Sequence, residues 1–212
     1  MRERVAGLLH RAGAIEALMH VRRLVPLPMV SIITYHHIAD HDPGYPYDPE
    51  VADATPHEFR WQMEWIAQYC TPLGIDDLIA ALDGAPLPSN PVMVTFDDGY
   101  RTCHDIALPI LRSVGVRATF FVSTQFISER RLYWWERIAL VLALAKRDVA
   151  HITYPADVDI DRRDPKLRSM LVDLVKNTPN LDVDQFTDGL ARALGVESVS
   201  YTHLTLPTIL RV

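Results

Sequence analysis

Two adjacent carboxylates, Asp97 and Asp98, close the apolar run PVMVTF and are followed at once by Gly99. Neighbouring side chains at a strand end point in different directions. Such a pair can divide the work of a hydrolytic site, one carboxylate holding a cation while the other accepts a proton from water. Gly99 lets the chain turn sharply behind them. Aspartates in this position also cap turns and helices by accepting backbone hydrogen bonds, and the short motif leaves both readings open.

The elements that must carry these acids follow from the residue pattern. Val92, Met93, Val94, Thr95 and Phe96 form a short continuous apolar run without helical spacing, which predicts a buried strand ending at the acids. Upstream, VSIITY (Val30 to Tyr35) is a strand. After the loop HDPGYPYDPEVADA, Thr55, Pro56 and Glu58 supply an N-cap, a first-turn proline and a capping-box glutamate for a helix reaching about Tyr69. GIDDLIAALDG reads as a short helix, DIALPILRSVG as another and VRATFFVS as a strand. Strands alternating with helices predict parallel βα units, and in such folds chemistry gathers outside the carboxyl ends of the strands. Asp97 and Asp98 are placed there.

Composition narrows the function classes. The chain has 212 residues, 49% hydrophobic and 23% charged, which suits one large globular domain. A net charge of −6 without a basic run gives no nucleic-acid footprint. Cys70 and Cys103 make no disulfide framework and lack C-x-x-C spacing. The first residues are basic but never sustain a signal-peptide core or a membrane span, so the expected location is cytoplasmic or membrane-peripheral. Val5, Leu8, Leu9, Ala12, Ile15, Leu18 and Met19 recur at helical spacing. The expectation is a helix packed on the domain, with association at a membrane surface as the alternative.

Other candidate groups are weaker. His36 stands at the end of the first strand, where it lines a site mouth or serves as a structural histidine. His37 and His41 have H-x-x-x-H spacing but run from a strand end into a Pro-rich loop. Asp157, Asp159 and Asp161 imitate the start of a calcium loop, yet Arg162 and Arg168 occupy the positions of its Gly and closing Glu, so a solvated loop is expected. Trp61, Trp65, Trp134 and Trp135 suit packing better than sugar stacking. Cys103 and His104 read as ordinary helix residues.

TFDDGY (Thr95 to Tyr100), ALPIL (Ala107 to Leu111) and GVRATFFV (Gly115 to Val122) together resemble the opening of the polysaccharide deacetylases, the NodB-homology domain of carbohydrate esterase family 4. ITYHHI (Ile33 to Ile38) resembles the first strand of the bacterial branch, and YWWERIA (Tyr133 to Ala139) the start of a helical insertion found there. The resemblance implies an α/β fold, a distorted (β/α) barrel, and metal-dependent removal of acetyl groups from an N-acetylated polysaccharide or sugar conjugate. It makes Asp97 the general base and Asp98 a ligand of a divalent metal, zinc or another transition ion, with His36 and Tyr100 as candidate substrate contacts. It also calls for a later His-Ser/Thr-x-x-His motif, which this sequence lacks. His37 and His41 precede the acids and lack the Ser/Thr, so they are not expected to replace it.

After Trp134 the pattern turns helical, with WWERIALVLALAKR, KLRSMLVDLVKN and DQFTDGLARALG separated by a break at Asn177 to Pro179. The run VSYTHLTLPT from Val199 resembles the in-frame translation of a sequencing-library adapter. The expected organisation is an amphipathic helix over 1–27, the first part of an incomplete barrel over 28–132, a helical insertion over 133–198 and a non-native tail over 199–212. The expected function is a deacetylase whose metal site is incomplete and which is inactive in this form. A catalytically dead carbohydrate-binding barrel and a partner-binding scaffold are the alternatives.

Overall fold

The computed structural model describes residues 13–24, 28–40, 51–129 and 131–196. The first twelve residues of the amphipathic pattern, His41 and the adapter-like tail therefore lie outside the described residues. The described residues divide into two units, the first holding 13–24, 28–40 and 52–123 and the second holding 51, 124–129 and 131–196.

In the first unit, helix α1 (Ala14–Leu24) precedes strands β1 (Ser31–Tyr35), β2 (His37–Ile38) and β3 (Ala52–Ala54). Helix α2 (Pro56–Tyr69), β4 (Thr71–Leu73), α3 (Ile75–Leu82) and β5 (Pro91–Phe96) follow. A π-helical turn (Cys103–Ala107) then leads into α4 (Leu108–Val114) and β6 (Ala118–Phe120). β5 is buried at every residue, as a central strand of a parallel sheet must be. One of its edges pairs with β1, from Ser31 opposite Val92 to Tyr35 opposite Phe96. β4 pairs with its first half and β6 with its second half. All of these pairings are parallel. Among the described residues the sheet stays open, in keeping with the incomplete α/β barrel expected.

Local chemistry explains the boundaries. The Thr55 N–H donates to Glu58 Oε2 at 2.9 Å and the Glu58 N–H donates to Thr55 Oγ1 at 3.2 Å, the reciprocal capping box read in the sequence. α2 then buries Phe59, Met63 and Ile66 at helical spacing. α4 stops at Gly115, whose φ of 76° is the left-handed conformation that closes a helix C-terminus. β4, β2 and β3 were not legible: three residues or fewer carry no periodicity.

α1 is tied to the first unit chiefly by polar contacts. Arg23 donates to the Gln68 carbonyl at 2.6 Å and Asn90 donates to the Met19 carbonyl at 2.9 Å, but no residue of α1 is buried. Hydrogen bonds tether this helix; of the expected apolar stripe Ile15 and Met19 are partly covered and Leu18 is exposed.

The second unit contains α5 (Thr124–Glu129), α6 (Trp134–Leu144), β7 (Val149–Ile152), β8 (Val158–Asp161), α7 (Leu167–Asn177) and α8 (Val183–Ala193). Ile138, Val141, Ile160, Leu171, Phe186 and Leu190 share a core of its own. Arg137, nearly buried, donates to Asp188 at 2.9 Å and also pairs with Asp184, fastening α6 to α8. β7 and β8 form an antiparallel hairpin that replaces the solvated loop expected around Asp157 to Asp161. The period-two alternation explains the difference: Ile160 is buried while Asp159 is exposed, and His151 on β7 lies 2.9 Å from Asp159 across the ladder. Trp134 packs against the core and Trp135 stacks on Tyr133 at 4.6 Å, so both rings serve packing.

β1 carries Ile32 and Ile33 at 56% and 37% exposure, with no described strand on its outer edge. Bare apolar edges template association. Ile32→Lys is expected to lower light scattering and hydrophobic-dye fluorescence of the chain while changing unfolding free energy by less than about 0.5 kcal/mol.

Candidate active site at the carboxyl end of the central strand

The ladder between β1 and β5 continues one step past the strands. The Asp97 N–H donates to the Tyr35 carbonyl at 2.8 Å, which holds the two strand ends abreast. The chain then turns: the Gly99 N–H donates to the Asp97 carbonyl at 2.8 Å, and Asp98 and Gly99 have φ of 69° and 77°. A left-handed aspartate costs on the order of 1 kcal/mol or more, and such residues cluster at functional sites. Gly99 takes the second left-handed position without a Cβ penalty. Asp97 and Asp98 are both partly exposed at this turn.

Burial pushes the Asp98 carboxyl above the usual carboxylate range, the Asp97 charge adds to that shift and His36 opposes it. His36 therefore belongs to the electrostatic surroundings of the acids, as its place one residue beyond Tyr35 requires. Tyr100 is buried at 1% exposure with its ring 5.0 Å from that of His37.

Asp53 is a residue that sequence reasoning missed. Its Oδ2 accepts the His36 N–H at 2.5 Å and the His37 N–H at 3.4 Å, and it lies 3.4 Å from His36 Nδ1. The pairing of β2 with β3 is irregular here, His37 facing Ala52 and Ile38 facing Ala54. Asp53 is thus the extra residue of a bulge, a feature that re-aims a side chain. Nothing in VADATP signals this, because the bulge exists only once the two segments pair.

His37 is buried, with Nδ1 2.7 Å from Thr102 Oγ1. Burial lowers its pKa from 6.5 to about 4, against an opposing pull from the Asp53 charge. Cys103 is fully buried and its thiol is pushed up to about 12 by burial, which removes it as a nucleophile at neutral pH. Tyr35 is likewise raised to about 12, by burial and by Asp53, and donates to Gln62 Oε1 at 2.5 Å.

The donor set was tested against a divalent metal. Among the described residues no group of three or more His, Cys, Asp or Glu side chains converges in a way that holds a metal ion. Asp98 offers one carboxylate, whereas zinc in a catalytic site takes three protein ligands. These residues do not by themselves fit the ion that the resemblance implies. A cleft of about 550 Å³ runs along α3, α4 and β6, lined by Gly74, Leu111, Arg112, Arg117 and Phe120, and neither acid lines it.

Asp97 and Asp98 thus lie just beyond the central strand of an open parallel α/β unit. Residues 84–173 match the family model described as polysaccharide deacetylase. That stretch includes Asp97, Asp98 and Tyr100, and it holds the residues TFDDGY and GVRATFFV that carry the resemblance. No curated protein matches the chain. Among solved structures, the Streptococcus pyogenes deacetylase PplD, in complex with acetate, is 25% identical over 52% of this chain and 51% of its own, with a TM-score of 0.41. A de-N-acetylase from Aggregatibacter actinomycetemcomitans is 17% identical over 69% and 51%, with a TM-score of 0.40. IcaB from Ammonifex degensii is 22% identical over 54% and 48%, also with a TM-score of 0.40. The match spans about half the length of each of these structures.

The buried His37 makes stability depend on pH. Because its folded pKa lies below the unfolded value, the unfolded chain binds the extra proton, so stability is whole above about 6.5 and falls as pH drops toward 4. The full loss is of order 3 kcal/mol. Urea unfolding between pH 8 and 4 is expected to show this slope, and His37→Gln is expected to flatten it.

Proposed function

We propose that the whole enzyme hydrolyses the acetamide bond of an N-acetylated polysaccharide or sugar conjugate, and that this chain carries the acid half of its site. The observation that carries this reading is the placement of Asp97 and Asp98 beyond β5, inside the stretch matching the deacetylase family. Asp97 is assigned as the general base, taking the proton of the attacking water. Asp98 would supply one carboxylate to a divalent ion, zinc or another transition metal, whose chemistry when bound would be that of a Lewis acid. The sequence lacks the His-Ser/Thr-x-x-His motif that the resemblance calls for, and on that ground the chain as it stands is assigned no turnover.

What the chain's own residues do is orient and exclude. His36, held against Asp53, is the side chain placed to meet the sugar, and Tyr100 supports the mouth from behind His37. The left-handed turn at Asp98 and Gly99 lets the two carboxylates serve separate tasks.

Acetate release from N-acetylglucosamine oligomers tests the reading. In the whole enzyme, Asp97→Asn is expected to keep the metal and lose about 10²- to 10⁴-fold in turnover, while Asp98→Asn loses the metal. Equal metal loss in both variants rejects the division of labour. Full activity in Asp97→Asn rejects the site, as does acetate release by the 212-residue chain alone.

A further inference from the structure

The aspartates that imitate a calcium loop meet a histidine instead of a cation. In the hairpin of β7 and β8, His151 stands opposite Asp159 and Val149 opposite Asp161. Alternate residues share a strand face, so His151, Asp157, Asp159 and Asp161 fall on the solvent side while Ile152 and Ile160 turn to the core. The His151 ring lies between two carboxylates, its Nδ1 2.9 Å from Asp159 Oδ1 and its Nε2 3.3 Å from Asp157 Oδ1. A neutral imidazole has one N–H and one bare nitrogen. Both contacts are therefore hydrogen bonds only in the imidazolium, and a neutral ring turns a lone pair onto one of the carboxylates.

Neighbouring charges are engaged elsewhere. Asp161 accepts from Arg163 Nε and Nη2 at 2.8 and 2.7 Å, and Arg162 turns to Asp148 at 3.3 Å. α8 packs against β7 from the core side, through Phe186 and Leu190. Of its charged residues, Asp184 and Asp188 hold Arg131 and Arg137, the Asp182 carboxylate accepts the Gln185 N–H, and Arg192 is exposed. Asp159 and then Asp157 hold the His151 pKa above its ordinary 6.5.

The segment between His151 and Asp157 also reaches α8. Its Tyr154 hydroxyl oxygen accepts the backbone N–H of Asp182, the N-cap of that helix, at 2.8 Å. The hairpin tip is thus fixed by the histidine on one side and by the helix start on the other. We infer that this hairpin is a pH-sensitive clasp: the His151 imidazolium closes the tip by bridging Asp157 and Asp159, and loss of its proton frees the tip and loosens its hold on the start of α8. Because the folded pKa is raised, the clasp is whole below about 6.5 and is lost as pH rises through the raised value. That direction is the reverse of the one set by the buried His37 in the first unit.

A nuclear magnetic resonance titration of the intact chain between pH 5 and pH 8 tests the clasp. His151 is expected to titrate above 6.5, and the Asp182 amide and Tyr154 ring signals are expected to shift with the same midpoint. Asp159→Asn and Asp157→Asn each lower that midpoint, the first by more. Asp157 and Asp159 are 81% and 97% exposed, so these isosteric changes leave the fold intact, which unchanged Ile152 and Ile160 methyl signals report. At pH 6, His151→Gln is expected to speed hydrogen exchange at the Asp182 amide about two- to fivefold, the scale of an exposed ion pair. A midpoint that neither aspartate variant moves overturns the clasp. Asp182 and Tyr154 signals that stay fixed while His151 titrates, or equal exchange in His151→Gln, also overturn it, because the ring then does not act on the helix start.

Discussion

The hydrogen-bond ladder between β1 and β5 is the constraint on which the first unit depends. Each strand end is useful only because the Tyr35 to Phe96 register and the following bond from Asp97 hold the two ends level. A one-residue slip would send every side chain of β5 to the opposite face. Thr95 Oγ1 donates to Thr34 Oγ1 at 2.9 Å across the same ladder, and Tyr35, Phe59 and Phe96 pack edge to face or stacked behind it. The acids project from a rigid, buried strand, the kind of support that keeps catalytic groups within tolerance.

Electrostatics at the mouth follows from that scaffold. His36 pairs with Asp53 and opposes the upward shift that burial, and then the Asp97 charge, impose on the half-buried Asp98. A bound cation would reverse this tendency, since an ion is the largest local charge in any site it occupies. Asp53 has a second task in organising backbone: one oxygen accepts two successive N–H groups, those of His36 and His37, just beyond β1. The bulge that delivers it is consistent with the way strand irregularities gather beside active sites.

The second unit rests on a different principle. Its helices and hairpin enclose a shared aliphatic core, and the buried Arg137 is made tolerable by two aspartates on α8. Charged groups enter interiors at acceptable cost only when paired.

The residue pattern alone determined the central strand, the capped helix from Pro56 and the acids at a strand end, because each depends on neighbours within a few positions. It also carried the family resemblance through TFDDGY and GVRATFFV. Tertiary structure decided the rest. Only pairing with β2 turns Asp53 into a bulge residue aimed at His36, only the core around Thr102 makes His37 a buried neutral histidine, and only the ladder with β7 makes Asp159 and Asp161 part of a strand. α1 shows the limit most directly: helical spacing announces an apolar face, but which face the domain covers is settled by distant partners, here Gln68 and Asn90, that periodicity does not record.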